Sequence, residues 1–230
     1  MSRQQSIGLL GGTFDPVHAG HLALAEAALD QCCLETVLCI PAAGPPHKRA
    51  PLAGFSHRVA MLELALAGRN NISISLIEAE RPTPSYTIET LHGLRERLGP
   101  HNYTLILGAD SLLELHLWKQ YEDILRLADL AVAARPGIAD RTVLEAIDRL
   151  PGPYRSAGTY QYRRPDGRQI HYLHEVRIDL SSSTIRSLLA KGKRPEGLPD
   201  PVYDYILLNG LYRNDRDLRH ARTAPGPDDP

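Results

Sequence analysis

The chain has 230 residues, of which 43% are hydrophobic and 23% charged, with a formal net charge of −1 and an isoelectric point near 6.8. That is enough apolar material for one full domain core, without the strongly basic face of a nucleic-acid binder. No apolar run reaches the roughly 20 residues that cross a bilayer, Met1–Gln5 lack a secretory pattern, and Cys32, Cys33 and Cys39 have neither disulfide nor metal spacing; a cytoplasmic enzyme with reduced thiols is expected.

An apolar run opens at Ile7, breaks at Gly11 and Gly12, and apolar periodicity resumes at Leu22 and continues to Leu29. This predicts a buried strand, a tight loop and a helix. Residues 35–40 read as a second strand stopped by Pro41, followed by the Pro/Gly-rich loop 42–49. Ser56 is a candidate N-cap for a helix ending at Leu66. Residues 72–77 alternate as a strand, and a helix is expected from Ser85 to about Leu98.

Residues 103–107 are almost continuously apolar, as in the middle of a parallel sheet. A short helix near Trp118, a second over 121–126, a strand over 130–134 and a helix over 139–150 follow. Residues 151–168 read as an irregular, hairpin-like insertion. Strand character returns over 170–176, with helices over 181–190 and 201–208. One domain is expected over 1–212, and the charged, Pro-rich tail 213–230 is expected to be disordered. Strands alternating with helices predict an α/β fold with a doubly wound, mostly parallel sheet. Ligands in such folds sit beyond the carboxyl ends of the strands, at the switch point.

The chemistry-bearing stretches fall at those ends. After the first strand, Gly11, Gly12, Thr13 and Phe14 lead to His18 and His21, three apart at a helix start, with Gly20 between them. A helix N-terminus favours anions, so two imidazole donors and a hydroxyl there make a phosphate site. After the second strand, Pro45-Pro46-His47-Lys48 is a stiff loop carrying a lysine, which alone reads better as a solvated surface loop. After a central strand, Gly108 and Asp110 read by themselves as a strand-end turn with a helix-capping aspartate. Ser181 to Arg186 combine an N-cap with an arginine one turn in, a possible triphosphate clamp. Trp118 alone is as well read as a packing aromatic, and Arg135-Pro136-Gly137 as a plain turn. His57, His92, His101, His116, His171, His174 and His220 have no useful spacing and read as solvent-facing or capping groups.

The run Gly11-Gly12-Thr13-Phe14-Asp15-Pro16, followed by His18-Ala-Gly-His21, resembles the signature of the nucleotidyltransferases with the His-x-Gly-His motif. The opening glycine pair resembles bacterial nicotinate-nucleotide adenylyltransferases in particular. The resemblance spans about residues 6–212. It implies a Rossmann-like fold and adenylyl transfer from ATP to nicotinate mononucleotide, with Mg²⁺ carried mainly by the ATP phosphates.

The resemblance also implies residue roles. His18, His21, Lys48 and Arg186 would act on the phosphates, with His47 supporting Lys48. Gly11, Gly12, Thr13, Phe14, Gly108, Asp110, Arg135, Ser182 and Ser183 would hold ATP. Which of Ser182, Ser183 and Thr184 meets phosphate stays open, because Thr184 directly precedes Ile185 where the family motif has a residue between. Tyr86, Thr87, Trp118 and Lys119, together with Lys48, would hold the mononucleotide. Trp118 would stack on the pyridine, and the main-chain N–H groups of Thr87 and Lys119 would hold its carboxylate. Asp15 is a minor candidate, either a turn residue or a group ordering the loop. Related mononucleotide, pantetheine-phosphate or choline-phosphate transferases, or a nucleotide-binding module without turnover, are the alternatives. A monomer and a small homo-oligomer remain equally open.

Overall fold

The alternation of apolar strands with amphipathic helices produces one continuous sheet in the computed structural model, which describes residues 4–44, 51–177 and 179–213. The elements are β1 (Ser6–Gly12), α1 (Ala19–Gln31), β2 (Thr36–Pro41), α2 (Phe55–Leu66), β3 (Ile72–Ile74), α3 (Thr87–Leu98), β4 (Asn102–Gly108) and α4 (Ala109–Leu113). They continue as α5 (Tyr121–Leu127), β5 (Ala128–Ala133), α6 (Asp140–Asp148), β6 (Arg155–Gly158), β7 (Gln161–Arg163), β8 (Gln169–Leu173), α7 (Ser182–Leu189) and α8 (Asp200–Leu208). A 3₁₀ turn, Leu115–Leu117, lies between α4 and α5.

The sheet order is β3-β2-β1-β4-β5-β8-β7-β6. The pairs from β3 through to β8 are parallel, with Leu9 of β1 facing Leu38 of β2 on one side and Leu105 of β4 on the other. Side chains alternate across a strand, so each strand feeds two cores. Leu10, Val37, Cys39, Ile106 and Ala131 pack under α1, α2, α7 and α8. Ile7, Leu9, Leu105, Leu107, Leu130 and Val132 pack under α3, α4, α5 and α6. Strands buried on both faces explain why their sequences read as continuous apolar runs. No helix among the described residues is long and apolar enough to cross a membrane.

Several boundaries differ from the sequence reading. The strand expected over 72–77 pairs only over Ile72–Ile74, because it is a sheet edge with β2 as its neighbour, and Ile77 is buried from the turn that follows. The helix assigned to a Ser56 cap is capped by Gly54 and begins at Phe55. The helix expected from Ser85 begins at Thr87, with Tyr86 as its N-cap. The strand expected to Val176 ends at Leu173, and the helix over 139–150 spans Asp140–Asp148.

The region 151–168 is a hairpin, as its hairpin-like reading expects, with a register shift between Ser156 and Gly158. β6 and β7 pair antiparallel, and β7 continues the sheet antiparallel to β8. Its turns carry the required chemistry: Tyr160 takes φ 58° and Gly167 φ 91°, and the Arg164 N–H closes on the Arg168 carbonyl at 2.8 Å. The tail from 214 and the loop 45–50 lie outside the described residues.

Leu130 is fully buried on the central strand β5. Leu130→Ala should cost about 2–5 kcal/mol, read as a lower urea midpoint at unchanged m-value. A loss below about 1 kcal/mol would show that this layer of the sheet is not close-packed.

Candidate active site

From β1 the chain proceeds through β2 to β3, whereas from β4 it proceeds the other way through β5 to β8. The crossovers therefore diverge between β1 and β4 and leave a crevice at the carboxyl ends of those strands. A cavity of about 1040 Å³ lies there. It is lined by Gly11, Gly12, Thr13, Phe14, His18 and His21 from the first turn and helix, by Tyr86, Thr87, Gly108, Asp110, Trp118, Lys119 and Arg135 from the turns beyond β3, β4 and β5, and by Ser182, Ser183 and Arg186 from α7. Every site candidate within the described residues is on this wall; Lys48 and His47 fall outside them.

The turn after β1 is shaped by its own backbone. Phe14 adopts φ 50°, a left-handed conformation that costs a bulky residue energy and persists where surroundings enforce it. Its ring is 1% exposed and lies 4.9 Å from the ring of His21. Space beside Gly11 is open, so a ligand can reach the main chain there.

His18 is the N-cap of α1 in extended geometry, and its main-chain N–H donates to Nδ1 of His21 at 3.3 Å. That bond assigns the proton of a neutral His21 ring to Nε2, which makes Nε2–H its donor. The two rings lie 3.8 Å apart. His18 is only 4% exposed, and its Nδ1 has no hydrogen-bond partner among the described residues. Burial, helped by the Arg135 guanidinium, lowers its pKa from 6.5 to about 4. His18 is therefore a neutral group at the cavity, able to donate or accept a hydrogen bond.

The serine run sorts itself by geometry. Ser181 caps α7, its Oγ accepting from the Thr184 N–H at 3.1 Å. Ser182 Oγ donates to the Pro16 carbonyl at 2.9 Å, and Arg186 Nη2 donates to Ser183 Oγ at 3.3 Å. Arg186 Nη1 donates to the main-chain carbonyl of Asp15 at 2.6 Å, so the guanidinium is docked on the turn that carries the histidines.

At the other end of the cavity, Tyr86 and Thr87 open α3 and present its first N–H groups, which have no intrahelical acceptor. The Lys119 ammonium is already engaged, 2.6 Å from Glu89 and 4.5 Å from the centre of the Tyr86 ring. Arg135 Nε donates to Asp110 at 3.1 Å, and a β-carbon at Gly108 would collide with both. Trp118 is half-buried against the α3–α6 core while also lining the cavity. Its packing reading therefore holds, and its ring also reaches the cavity.

Three residues were missed or underweighted in the sequence. Arg58 is 1% exposed and donates to the carbonyls of Thr13 at 2.7 Å and Ala42 at 2.9 Å, joining the turns after β1 and β2. Its signal was a charge on the apolar face that carries Met61, Leu62 and Ala65. Glu78 lines the cavity and accepts from Thr90 Oγ1 at 3.1 Å; burial raises its pKa against the hydrogen bonds that oppose the rise. Asp15 is 3% exposed and receives the N–H groups of Leu52 at 2.9 Å and Ala53 at 3.0 Å. His57, read as solvent-facing or capping, instead bonds the Tyr205 hydroxyl at 2.9 Å.

The chain matches the cytidylyltransferase-like family over residues 9–188. It is similar to the probable nicotinate-nucleotide adenylyltransferase of Pelobacter propionicus, 41% identical over 215 residues that span 90% of this chain and 97% of that protein. The protein of the same name from Acidithiobacillus ferrooxidans is 35% identical over 214 residues, spanning 93% and 98%. A solved structure of Plasmodium falciparum nicotinic acid mononucleotide adenylyltransferase complexed with NaAD shares the fold, with TM-score 0.68 and 18% identity over 90% of this chain and 97% of that one.

The lowered pKa of His18 has a stability consequence. As pH falls below 6.5 the unfolded chain takes up this proton first, so the stabilisation present above 6.5 is lost down to about 4. Between pH 7 and pH 4 the native protein should lose about 3 kcal/mol more than His18→Asn, which keeps a good N-cap. Parallel urea titrations read this; equal losses would place the imidazole in water.

Proposed function

The chain belongs to the cytidylyltransferase-like family and, within it, to the nicotinate-nucleotide adenylyltransferases, and from that membership we infer that it transfers the adenylyl group of ATP to nicotinate mononucleotide, giving deamido-NAD and pyrophosphate in NAD biosynthesis. The observation that carries this reading is the convergence of His18, His21, Arg186 and the start of α3 on one cavity. That cavity is at the upper end of ordinary ligand sites in size, as two nucleotides require.

The 5′-phosphate of the mononucleotide attacks the α-phosphorus of ATP, and pyrophosphate leaves. A phosphate monoester dianion is already a nucleophile, so the protein's task is positioning and charge stabilisation. We assign His21 Nε2–H and His18 to the phosphate oxygens at the reacting centre, and Lys48 and Arg186 to charge neutralisation. The main chain at Gly11 and Gly12, with Thr13 and Phe14, would carry the triphosphate. Ser183 would join them through Arg186, while the Ser182 hydroxyl braces Pro16. Gly108 and Asp110 would face the ribose of ATP, with Arg135 beside the adenine. An anion arriving beside His18 would raise the imidazole pKa and convert a neutral donor into a charged one.

Among the described residues no group of three or more His, Cys, Asp or Glu side chains could hold a metal ion. We assign Mg²⁺ to the phosphates of ATP, where it would neutralise charge on the leaving pyrophosphate. The same reading places the protein in the cytoplasm and treats residues 1–212 as one catalytic unit, supported by a sheet that runs unbroken from β3 to β6.

The pyridine end explains the acid substrate. Because the Lys119 ammonium is engaged by Glu89, the nicotinate carboxylate would be met by main-chain donors at Thr87 and Lys119, with Trp118 stacked on the ring and Tyr86 beside it. A carboxamide would present its own N–H groups to those donors and lose the charge-assisted bonds.

His18→Ala and His21→Ala should each lower kcat by on the order of 10²–10³ with native circular dichroism, measured as pyrophosphate release; near-native turnover in either would remove that residue from the phosphate site. Thr87→Pro deletes one N–H at the first helical position, where proline is tolerated, behind an extended Tyr86 (φ −109°, ψ 143°) that proline accepts. It should lower kcat/KM for nicotinate mononucleotide about tenfold and leave the slower amide reaction nearly unchanged. Equal losses on both substrates would remove the carboxylate from that helix start.

A further inference from the structure

The carboxylate of Asp15 is the meeting point of segments that are distant in sequence. Oδ1 accepts the Tyr212 hydroxyl at 2.7 Å and the Ala53 N–H at 3.0 Å, while Oδ2 accepts the Leu52 N–H at 2.9 Å and lies 3.7 Å from Arg186 Nη1. Tyr212 lies on the turn beyond α8, in a left-handed conformation with φ 62°. Such strain persists in a bulky residue only where its side chain is held. Burial and the bond to Asp15 both push its phenol pKa up, so it stays a hydrogen donor. Its helix is tied to α2 by the Tyr205–His57 bond, and α2 supplies Arg58 to the carbonyls behind the phosphate turns.

We propose that Tyr212 is a positioning residue for ATP: its hydroxyl, donated to the buried carboxylate of Asp15, sets how far the Arg186 guanidinium is drawn back from the triphosphate. The physical step is a competition. Asp15 is served by two main-chain N–H groups, one phenol and one guanidinium. Removing the phenol leaves a buried carboxylate short of one donor. The guanidinium within reach is that of Arg186, whose Nη1 is held at the Asp15 carbonyl at 2.6 Å and lies 3.7 Å from Oδ2, whereas the Arg58 guanidinium is fixed on the carbonyls of Thr13 and Ala42. It closes on the carboxylate and withdraws from the cavity. The C-terminal turn thereby acts on the ATP end of the site without touching substrate, and the mononucleotide end around Thr87 and Trp118 is left as it was.

This proposal rests on the adenylyl-transfer reading of the cavity, and its test separates the two. Tyr212→Phe should raise KM for ATP about tenfold, the scale of one hydrogen bond to a buried charge. KM for nicotinate mononucleotide should stay within about twofold, because no contact of that subsite changes. Tyr205→Phe, which loosens α8 without touching Asp15, should lower the melting temperature and leave both KM values unchanged. Asp15→Asn removes the charge that pulls on Arg186 and supplies a second variant should the first fold poorly; it should lower KM for ATP, the opposite of Tyr212→Phe, and leave that for the mononucleotide within about twofold.

ATP binding measured by calorimetry without the second substrate reads the same tenfold change independently of turnover. A Tyr212→Phe protein with native ATP affinity overturns the positioning role. So does one whose two KM values move together, or a Tyr205→Phe protein that mimics it. A native enzyme that binds ATP but releases no pyrophosphate overturns the functional reading instead, and the calorimetric comparison still decides the role of Tyr212.

Discussion

Every feature of the site depends on one topological constraint, the divergence of the two crossovers that leave β1 and β4. The strands are adjacent and parallel, with Leu9 and Leu105 in register. The chain leaves β1 for α1 on one face and leaves β4 for α4 on the other. Packing would close the space above any other pair of strands with a helix or a loop. Here it cannot, because the elements that would fill it have gone to opposite sides. The crevice therefore needs no special residues to exist; the special residues are those that turn an unavoidable gap into an anion site.

That conversion is electrostatically economical. The donors facing the cavity are main-chain N–H groups, imidazoles, two guanidiniums and an ammonium, and each of the three cations meets a carboxylate. Arg186 rests against Asp15, Arg135 against Asp110 and Lys119 against Glu89. Each pair limits the repulsion among cations before substrate arrives and orients a donor that would otherwise sample many rotamers. His18 solves the same problem differently, because burial and the Arg135 guanidinium keep it neutral. A site built this way excludes the permanent excess of buried positive charge that a triphosphate would later compensate but the free protein could not.

Much of this was legible in the residues, and what was not has physical reasons. Strand and helix order followed from period, and the cavity wall followed from motifs at strand ends, since both depend on local sequence and on a fold rule. The region 151–168 was read as hairpin-like but without definite strands because these are short and polar, although Pro165-Asp166-Gly167 is a turn signal. Helix starts were misjudged where glycine or tyrosine caps in place of a serine, as at Gly54 and Tyr86. Asp15 could not be weighed, because the phenol that bonds it comes from 197 residues further along the chain. Nor could the roles of Ser181, Ser182 and Ser183 be separated, since spacing alone does not say which hydroxyl a neighbouring carbonyl has already claimed.

The central claim is that both nucleotides meet in the crevice between β1 and β4, phosphates toward α1 and pyridine toward α3. A crystal structure of the protein with deamido-NAD tests it most directly. The account predicts the product's pyrophosphate oxygens within about 3.2 Å of His21 Nε2 and the pyridine carboxylate at the N–H of Thr87, with Trp118 against the ring. Density for the product on any other face, or in this crevice with the pyridine directed toward Arg186, would contradict it.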